Sequence, residues 1–520
     1  MDKRLKSLAM YLPQFHRVPE NDAWWGEGFT EWTAVKAADR LFAGHAQPRV
    51  PLDENYYDLL DKKTMQWQAE LANKYGIDGF CFYHYYFKDG KKILERPMQN
   101  LLEWNDINIS YCCCWANQTW ARTWSKLCET NSWSEKFEPT VRGTDPILLE
   151  QDYGGSAEWK EHFAYLLPFF RDKRYIKIDN KPVFLIYIPE DVSQLAEMMA
   201  CWNDAAQRQG FDGIYSIGVN SMKALPGLSA RLYQGPNAYR LPFVAGKAVK
   251  VVWQDGVEVF DYRQCWENAV RLGKPDELKT YFGGFVDYDT TPRRGRRGVS
   301  AGGVSPEIFG ENLYKLAIKN IVQGNELLFI NAWNEWGEGN YLEPDEKNKY
   351  QYLEKVRDVM ERCNAGQLDA QKEWTSICAQ STSEDDTTEL LKIADKYREL
   401  YRVLNRWMTL QESGINLESF FSDRGYVKIL IYGMAELGKH LYEQLSDSGL
   451  EIVGALDRRQ GITYKDLKIY GLEEEVPKCD VIVVTAVTDY DAIKAFLSKK
   501  VDAPVLFLKD IVYSLIQLEI

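Results

Sequence analysis

The chain has 520 residues, of which 45% are hydrophobic and 27% are charged, and its formal net charge is −13. This length exceeds one ordinary core, so two or three domains are expected, and the composition is that of a globular protein. The acidic balance argues against a nucleic-acid partner, because binding a phosphate backbone requires basic surface. It argues equally against general binding to anionic membranes.

The N-terminal residues show no apolar signal segment, and no apolar run approaches the length of about 18 residues that a transmembrane helix requires. The ten cysteines include no CxxC pair, which argues against a zinc site. The triplet Cys112–Cys114 suits a buried, reduced strand, because adjacent strand residues point to opposite faces. We therefore expect a cytoplasmic protein with no metal, no cofactor and no transmembrane segment.

Short apolar runs bounded by turn residues alternate with helical patterns up to about residue 340. Strands that alternate with helices predict a parallel sheet, and eight of them predict a (β/α)₈ TIM barrel, which we place at residues 1–365. The eight predicted strands are Ser7–Phe15, Gly79–Tyr86, Ile107–Trp115, Pro182–Ile188, Gly213–Val219, Arg231–Gly235, Tyr281–Tyr288 and Leu327–Trp333.

The composition turns polar after the barrel, and a helical pattern follows, so residues 366–425 are predicted to form a linker and a helix. Residues 426–520 restart with a strand, a glycine turn, a helix and a second strand, which predicts a small Rossmann-like domain. Its candidate cofactor-binding residues are Gly433, Gly438 and Asp457. Ala435 replaces the glycine that would let a pyrophosphate approach, so a structural or assembly role stays open.

Two carboxylates follow the eighth predicted strand, at the end of a barrel strand where active sites form. Glu335 and Glu338 are three residues apart, so they lie within about 10 Å of each other even in an extended chain. That range suits a pair acting on a glycosidic bond, and enclosure by the neighbouring tryptophans is expected to raise one pKa. The alternative is an acidic loop that closes the strand, with Glu343 and Asp345 as solvated neighbours.

Polar and aromatic side chains also occur where the other predicted strands end, and they are expected to converge on one substrate-binding mouth. His84 could instead be a core histidine with satisfied hydrogen bonds. The candidate substrate-binding residues are Tyr11, His84, Trp115, Asn117, Tyr187, Asp289, Arg293, Asn334 and Trp336.

Three runs closely resemble the WbsX-type glycosyltransferase family, which is related to glycoside hydrolase family 99, the endo-α-mannosidases. They are residues 11–16 (YLPQFH), 24–32 (WWGEGFTEW) and 331–344 (NAWNEWGEGNYLEP). The resemblance covers about the first 360 residues, and it implies a (β/α)₈ barrel and a role in bacterial surface-polysaccharide metabolism.

The resemblance also implies roles for the two glutamates. Glu335 would be the base that removes the proton from the sugar's own 2-hydroxyl, and Glu338 would serve as acid and then as base, with net retention. Tyr11, Trp115 and Tyr187 match pocket positions of the family more loosely. Thr290 stands where the family's Asp-Asn-Thr-Pro-Arg run has asparagine, which puts one substrate hydrogen bond in doubt.

The sequence favours a glycosyltransferase in the biosynthesis of a surface polysaccharide such as an O-antigen or a capsule. An endo-acting hydrolase is the alternative, and a sugar-binding protein without turnover is the third possibility. The expected partners are an oligosaccharide or a sugar donor and acceptor, and a nucleotide or lipid diphosphate. The basic run Arg293, Arg294, Arg296 and Arg297 suits a diphosphate, or else forms a solvated loop.

Overall fold

The computed structural model describes residues 4–121, 147–240, 248–366, 368–380, 387–412, 414–446, 448–459, 463–487 and 490–516. The chain divides into two compact units, Met1–Glu384 and Asp385–Ile520. The domain bounds 1–365, 366–425 and 426–520 stay predictions, and residues 381–386 of the predicted linker lie outside the described residues.

The first unit is built on a barrel of eight parallel strands, as the sequence predicts. These strands are nearly continuous apolar runs because both of their faces are buried. They are β1 (Lys6–Tyr11), β2 (Gly79–Tyr86), β3 (Ser110–Trp115), β4 (Lys181–Ile186), β5 (Tyr215–Val219), β6 (Ala230–Tyr233), β7 (Lys279–Phe282) and β8 (Leu327–Asn331).

The sheet closes between its seventh and eighth strands through two consecutive segments of the chain. β7 pairs with β6, and the short strand Gly284–Phe285 directly after it pairs with β8. β8 then pairs with β1 in parallel. Several strands end earlier than predicted: β1 ends at Tyr11 and β7 ends at Phe282.

Helices follow most of the barrel strands, and further short elements decorate the loops. The helices of the first unit are α1 (Pro19–Trp25), α2 (Glu31–Ala37), α3 (Lys62–Lys74), α4 (Arg96–Glu103), α5 (Ser156–Arg171), α6 (Leu195–Arg208), α7 (Asn237–Arg240), α8 (Tyr262–Arg271), α9 (Thr291–Arg294), α10 (Pro306–Val322), α11 (Gln351–Cys363) and α12 (Ala370–Gln380). Short strands occur at Lys92–Ile93, Trp120–Ala121, Ile147–Leu149, Lys177–Ile178, Val251–Gln254, Val257–Asp261, Val299–Gly302, Asn334–Glu335 and Asn340–Tyr341.

The second unit contains a five-stranded parallel sheet of order β11-β10-β9-β12-β13. Its strands are β9 (Lys428–Tyr432), β10 (Glu451–Leu456), β11 (Ile469–Tyr470), β12 (Val481–Val484) and β13 (Val505–Phe507). Its helices are α13 (Thr387–Glu412), α14 (Leu417–Ser422), α15 (Glu436–Ser446), α16 (Tyr490–Lys500) and α17 (Leu508–Ile516). The Rossmann-like assignment of this unit stays a prediction.

The three candidate cofactor residues of the second unit all have internal roles. Gly433 has φ +95°, and its carbonyl accepts a hydrogen bond from Thr485 Oγ1 at 2.6 Å. A Cβ on Gly438 would collide with the Gly433 carbonyl. The Asp457 carboxylate accepts from the Met434 backbone N–H at 2.8 Å and from the Arg459 guanidinium. Internal contacts therefore account for these residues.

Among the described residues, none of the helices combines the length and the apolar character that crossing a bilayer requires. Cytoplasmic location stays a prediction.

Candidate active site

A cavity of about 280 Å³ opens at the C-terminal end of the barrel, and residues at or after the ends of all eight strands line it. Both predicted catalytic residues, Glu335 and Glu338, lie in its wall. The other lining residues are Leu12, Gln14, Asn21, Trp25, Phe29, Glu31, Tyr83, Tyr85, Ala116, Gln118, Trp120, Leu148, Tyr187, Asn220, Gln234, Gly235, Pro236, Asn237, Tyr288, Arg293 and Asn331. Residues from all eight strand ends therefore surround one cavity, as the sequence predicts.

The guanidinium of Arg293 holds three carboxylates at one side of this cavity. Its Nη1 donates to Glu338 at 2.7 Å and its Nη2 donates to Glu335 at 3.0 Å. Its Nε donates to Glu31 at 2.6 Å. One planar fork thus fixes both predicted catalytic carboxylates relative to each other, which suits the bidentate geometry of arginine.

The sequence around Gly337 allows this cluster to form. A Cβ on Gly337 would lie 2.8 Å from Arg293 Nε and would collide with the Glu31 carboxylate. Gly339 has φ +62°, a left-handed conformation that glycine adopts without strain. The Trp-Gly-Glu-Gly turn therefore brings the backbone against the ion cluster while presenting Glu335 and Glu338 on the cavity side.

Burial sets the ionisation of Glu335, which is 7% exposed. Burial raises the pKa of the Glu335 carboxyl above its usual range; Arg293 opposes this rise, and the carboxylates of Glu338 and Glu31 add to it. The side chain of Glu338 is more accessible, at 30% exposed. Two carboxyl groups in one wall thus have different environments, as acid–base work at one bond requires.

Asp289 lies behind the glutamate loop and is fully buried. Its carboxylate accepts hydrogen bonds from His45 Nε2 at 2.9 Å, Gln47 Nε2 at 2.8 Å and Thr291 Oγ1 at 2.6 Å. Although burial acts to raise the pKa of Asp289, these bonds and the charge of Arg49 lower it to about 2.

Asp289 also connects the two halves of the ion cluster. Its backbone N–H donates to the Glu338 carbonyl at 2.6 Å, and its carboxylate accepts the Thr291 N–H at 3.0 Å, at the start of α9, which carries Arg293. The predicted substrate-binding residue Asp289 therefore lies outside the cavity lining and positions residues that are inside it.

Glu343 and Asp345 are 3% and 5% exposed, so their interpretation as solvated neighbours is wrong. Glu343 accepts hydrogen bonds at 2.7 Å from each of Tyr57, Gln68 and Trp336. Burial raises the pKa of Glu343 to about 7 against the effect of these donors. These acids are part of the interior because neutral donors fill their hydrogen-bonding capacity.

Three predicted substrate-binding residues face away from the cavity. Tyr11 lies inside the barrel and donates to Gln68 at 2.7 Å. His84 faces α5, where its Nε2 lies 2.8 Å from His162 Nε2, and burial lowers the pKa of His84 to about 3. Trp115 donates from its indole N–H to the Tyr86 carbonyl at 2.9 Å.

Three more predicted residues connect loops near the cavity rather than lining it. Asn117 pairs through its amide with the backbone N–H and carbonyl of Ile188, both at 2.8 Å. Asn334 does the same with Leu12, at 2.8 and 3.0 Å. Trp336 stacks on Tyr341 at 3.7 Å between ring centroids. Of the predicted substrate-binding set, Tyr187 and Arg293 line the cavity.

The prediction missed several lining residues, of which Glu31, Tyr83 and Tyr85 are the most important. Tyr83 and Tyr85 flank His84 on β2, and strand alternation sends them to the opposite face. Glu31 is part of the 24–32 run that carries the family resemblance, which was the one available signal. Apart from Arg293, no positively charged side chain occurs among the described residues that line the cavity.

The model of the WbsX glycosyltransferase family matches residues 7–356 of the chain. The chain belongs to this family. Two curated relatives from Xanthomonas campestris pv. campestris, both named uncharacterized protein WxcX, are similar to it. The protein of strain B100 is 33% identical over 362 residues, and that of strain ATCC 33913 is 32% identical over 362. Each match covers 68% of this chain and 49% of the relative, so the chain spans about half the length of the curated relatives that it matches.

Among solved structures, the GH99 endo-alpha-mannosidase of Bacteroides thetaiotaomicron is similar, with a TM-score of 0.43 and 12% identity. That match covers 70% of this chain and 98% of the mannosidase. Membership of the WbsX family confirms the resemblance found in the sequence and classes the chain with carbohydrate-active enzymes.

Proposed function

We propose that the chain transfers a glycosyl unit with retention of anomeric configuration, using Glu335 and Glu338 as its acid–base pair. The observation that carries the proposal is the pair of carboxylates held by one guanidinium in the wall of a sugar-sized cavity. Membership of a glycosyltransferase family supports transfer as the first candidate.

In this proposal Glu335 is the base. Its raised pKa makes its carboxylate, once ionised, a stronger proton acceptor than that of an ordinary glutamate, and the fraction in this base form grows as the pH rises. It takes the proton of the donor's 2-hydroxyl, whose oxygen forms a bond to the anomeric carbon while the bond to the leaving oxygen breaks. The buried position keeps water away from this proton transfer.

Glu338 completes the reaction as acid and then as base. It gives its proton to the departing oxygen, and its carboxylate then takes the proton of the acceptor hydroxyl. The acceptor oxygen bonds to the anomeric carbon while the bond from that carbon to the 2-oxygen breaks, and the 2-oxygen takes back the proton held by Glu335. The two inversions give net retention. The greater exposure of Glu338 suits a group that must meet both the leaving group and the acceptor.

Aromatic side chains around the glutamates supply the sugar-binding surface. Tyr83 and Tyr187 pack edge to face at 6.1 Å between ring centroids in the cavity wall, and Trp25, Trp120 and Tyr288 lie elsewhere in it. Such rings present apolar faces to the C–H surface of a sugar and keep a polar edge for its hydroxyls.

Hydrolysis is the second candidate, and the pairing of Arg293 favours it. The sequence suggested that Arg293 grips a diphosphate, yet three carboxylates already engage its guanidinium. No second cation lines the cavity among the described residues. A neutral glycan donor, cleaved as an endo-acting hydrolase would cleave it, needs no such cation.

Incubation with nucleotide sugars and with α-mannan fragments, followed by mass spectrometry, separates the candidates. Release of a nucleoside diphosphate supports transfer from an activated donor, and shortened glycan supports hydrolysis. A matched donor that lacks the 2-hydroxyl tests the mechanism, since it is expected to be inert. Turnover of that donor at the parent rate would contradict the role of Glu335.

The wider setting is proposed on the family resemblance alone. The chain would act in the cytoplasm on a bacterial surface polysaccharide. For the second unit we propose a structural or assembly role, because Met434 and Arg459 already engage the Asp457 carboxylate that would meet a ribose in a Rossmann-like site.

A further inference from the structure

A hairpin beside the barrel exposes an unusual group of apolar side chains. Its strands Val251–Gln254 and Val257–Asp261 are antiparallel, and the second pairs with Val299–Gly302, so Val251–Gln254 is an edge strand. Along this edge strand Val251 and Val252 are each 41% exposed and Trp253 is 71% exposed. Elsewhere in the described part of the chain, the large exposed hydrophobic residues are separated from one another in sequence: Leu60, Tyr350, Tyr401, Met408, Val427 and Phe496.

The direction of these side chains limits what can cover them. Successive residues of a strand point to opposite faces, yet Val252 and Trp253 are both exposed, so the edge strand projects from the body. A protein partner packed on the sheet would cover one of its faces. The interfacial region of a bilayer can surround a projecting edge from both sides, and tryptophan favours that region.

Basic side chains lie beside the hairpin although the whole chain carries a net charge of −13. Arg296 donates to the Asp255 carbonyl at the hairpin turn. The nearest acid on the neighbouring strand, Glu258, is paired with Arg240 at 2.7 Å. Asp255 is the exposed acid of the turn. Lys250 directly precedes the edge strand, and Arg296 and Arg297 belong to the helical turn Gly295–Arg297, which contacts the second strand of the hairpin; all three side chains are exposed.

We propose that this hairpin docks the protein onto an anionic lipid surface, with Trp253 and Val252 in the interface and the basic residues at the lipid headgroups. Apolar contact and attraction to anionic headgroups act together in such binding. The net charge argues against general attraction to anionic membranes, but the local charge around the hairpin has the opposite sign.

The hairpin also connects directly to the wall of the candidate active site. Phe260 of its second strand packs on Tyr288 with 6.3 Å between ring centroids, and Tyr288 lines the cavity. Docking would therefore hold the cavity near the lipid surface, where it could meet a sugar carried on a lipid. This consequence rests on the proposed function, whereas the docking itself does not.

Co-sedimentation of the full chain with vesicles tests the proposal. The parent is expected to bind vesicles of phosphatidylcholine with phosphatidylglycerol and to bind phosphatidylcholine alone much more weakly, with binding that falls as salt is added. Lys250→Gln with Arg297→Gln is expected to weaken partition by about tenfold or more, as expected when two basic residues leave an anionic surface. Trp253→Ser is expected to weaken it on both vesicle types.

Matched controls come from exposed residues elsewhere. Tyr401→Ser removes a ring that is 64% exposed and is the control for Trp253→Ser. Val252→Ser is also expected to weaken binding to both vesicle types, and Leu60→Ser is its control because both side chains are 41% exposed. Both controls are expected to bind vesicles as the parent does. Parent protein that stays in solution with anionic vesicles would overturn the proposal, and so would hairpin variants that bind as well as the controls. The alternative outcome is a parent oligomer that does not bind vesicles and that Trp253→Ser converts to monomer. That result would overturn lipid docking and assign the edge strand to contact with a second copy of the chain.

The two proposals fail separately. Glu338→Gln is expected to bind vesicles as the parent does while losing turnover. Trp253→Ser is expected to keep turnover on a soluble substrate. Loss of vesicle binding in Glu338→Gln would overturn docking through the hairpin, because that variant leaves the hairpin intact.

Discussion

Carboxylates that lie on the two sides of the loop after β8 have different electrostatic environments. On the cavity side, Glu335 and Glu338 share one guanidinium with Glu31, so three carboxylates compete for a single cation. On the rear side, several donors converge on the single carboxylate of Asp289. Accordingly the pKa of Glu335 is raised and the pKa of Asp289 is lowered.

This difference shows how function and stability divide between the cavity side and the rear side of that loop. An acid with too few partners retains a proton that it can exchange, which suits chemistry. An acid with all its lone pairs occupied stays ionised and holds the backbone in place. Substitutions on the cavity side should therefore change the rate of turnover, whereas substitutions on the rear side should change the stability of the fold.

Glu338→Gln should lower kcat by about a thousandfold, since it removes the proton donor while keeping the shape of the side chain. The melting temperature should change little because the side chain is partly exposed. Rates on the substrate identified by mass spectrometry, together with thermal denaturation, check both statements. Glu346→Gln is the matched control on the same loop, where the side chain is 45% exposed. Equal activity in the two variants would remove Glu338 from the mechanism.

Asp289→Asn should destabilise the fold by about 3 kcal/mol, because it removes the buried charge and replaces one acceptor oxygen with an amide donor that faces other donors. The pKa of Asp289 is about 2 when folded against an ordinary 3.8, so this carboxylate stabilises the fold above 3.8 and loses its contribution as pH falls toward 2. The gap in melting temperature between parent and variant should therefore be full at neutral pH and shrink on acidification. A gap that grew on acidification would contradict the structure.

Glu335→Gln should abolish turnover and yet stabilise the protein by about 1 kcal/mol at neutral pH. A carboxyl whose pKa is raised by folding favours the native state at low pH, and that contribution is lost as pH rises from its ordinary 4.5 through the raised value. Glutamine has no such proton to lose. Denaturant unfolding at pH values on both sides of this window measures the effect. A variant that is less stable at neutral pH would show that the bond to Arg293 outweighs burial.

Much of this arrangement could be predicted from sequence. Apolar runs separated by helical patterns predicted the eight strands, and the position of Glu335 and Glu338 after β8 predicted that they face the C-terminal mouth. The sequence could not predict which side chains of each strand face the cavity. Successive side chains alternate between the two faces of a strand, but this alternation does not say which of the two faces points inward. For that reason the sequence predicts His84 on β2 as a lining residue, whereas the structure places Tyr83 and Tyr85 in the cavity wall.

Contacts between distant parts of the chain were also out of reach. Glu31 and Arg293 are separated by 262 positions, and no local pattern couples them. Without that contact Arg293 reads as one of four basic loop residues suited to phosphate. With that contact, the same side chain is an ion-pair partner of Glu31, Glu335 and Glu338, which fits a positioning role for the proposed catalytic pair.

Glu31→Gln tests that charge balance with the smallest expected effect. If Glu335 is the base, kcat/KM rises with pH as this group ionises in the free enzyme. The charge of Glu31 contributes to the raised pKa of Glu335, so removing it should lower that pKa. Release of the guanidinium toward Glu335 acts in the same direction.

The acidic limb of the pH–rate profile should therefore move to lower pH by less than about one unit in Glu31→Gln. Glu27→Gln is the matched control, because Glu27 belongs to the same 24–32 run but its side chain is 90% exposed. If Glu31 had a purely structural role, Glu31→Gln would lower kcat/KM at every pH and would leave the acidic limb of the pH–rate profile at the same pH. A limb that moved to higher pH would show that Glu31 acts chiefly by holding Arg293 against Glu335, because losing that hold would weaken the cation that keeps the base ionised.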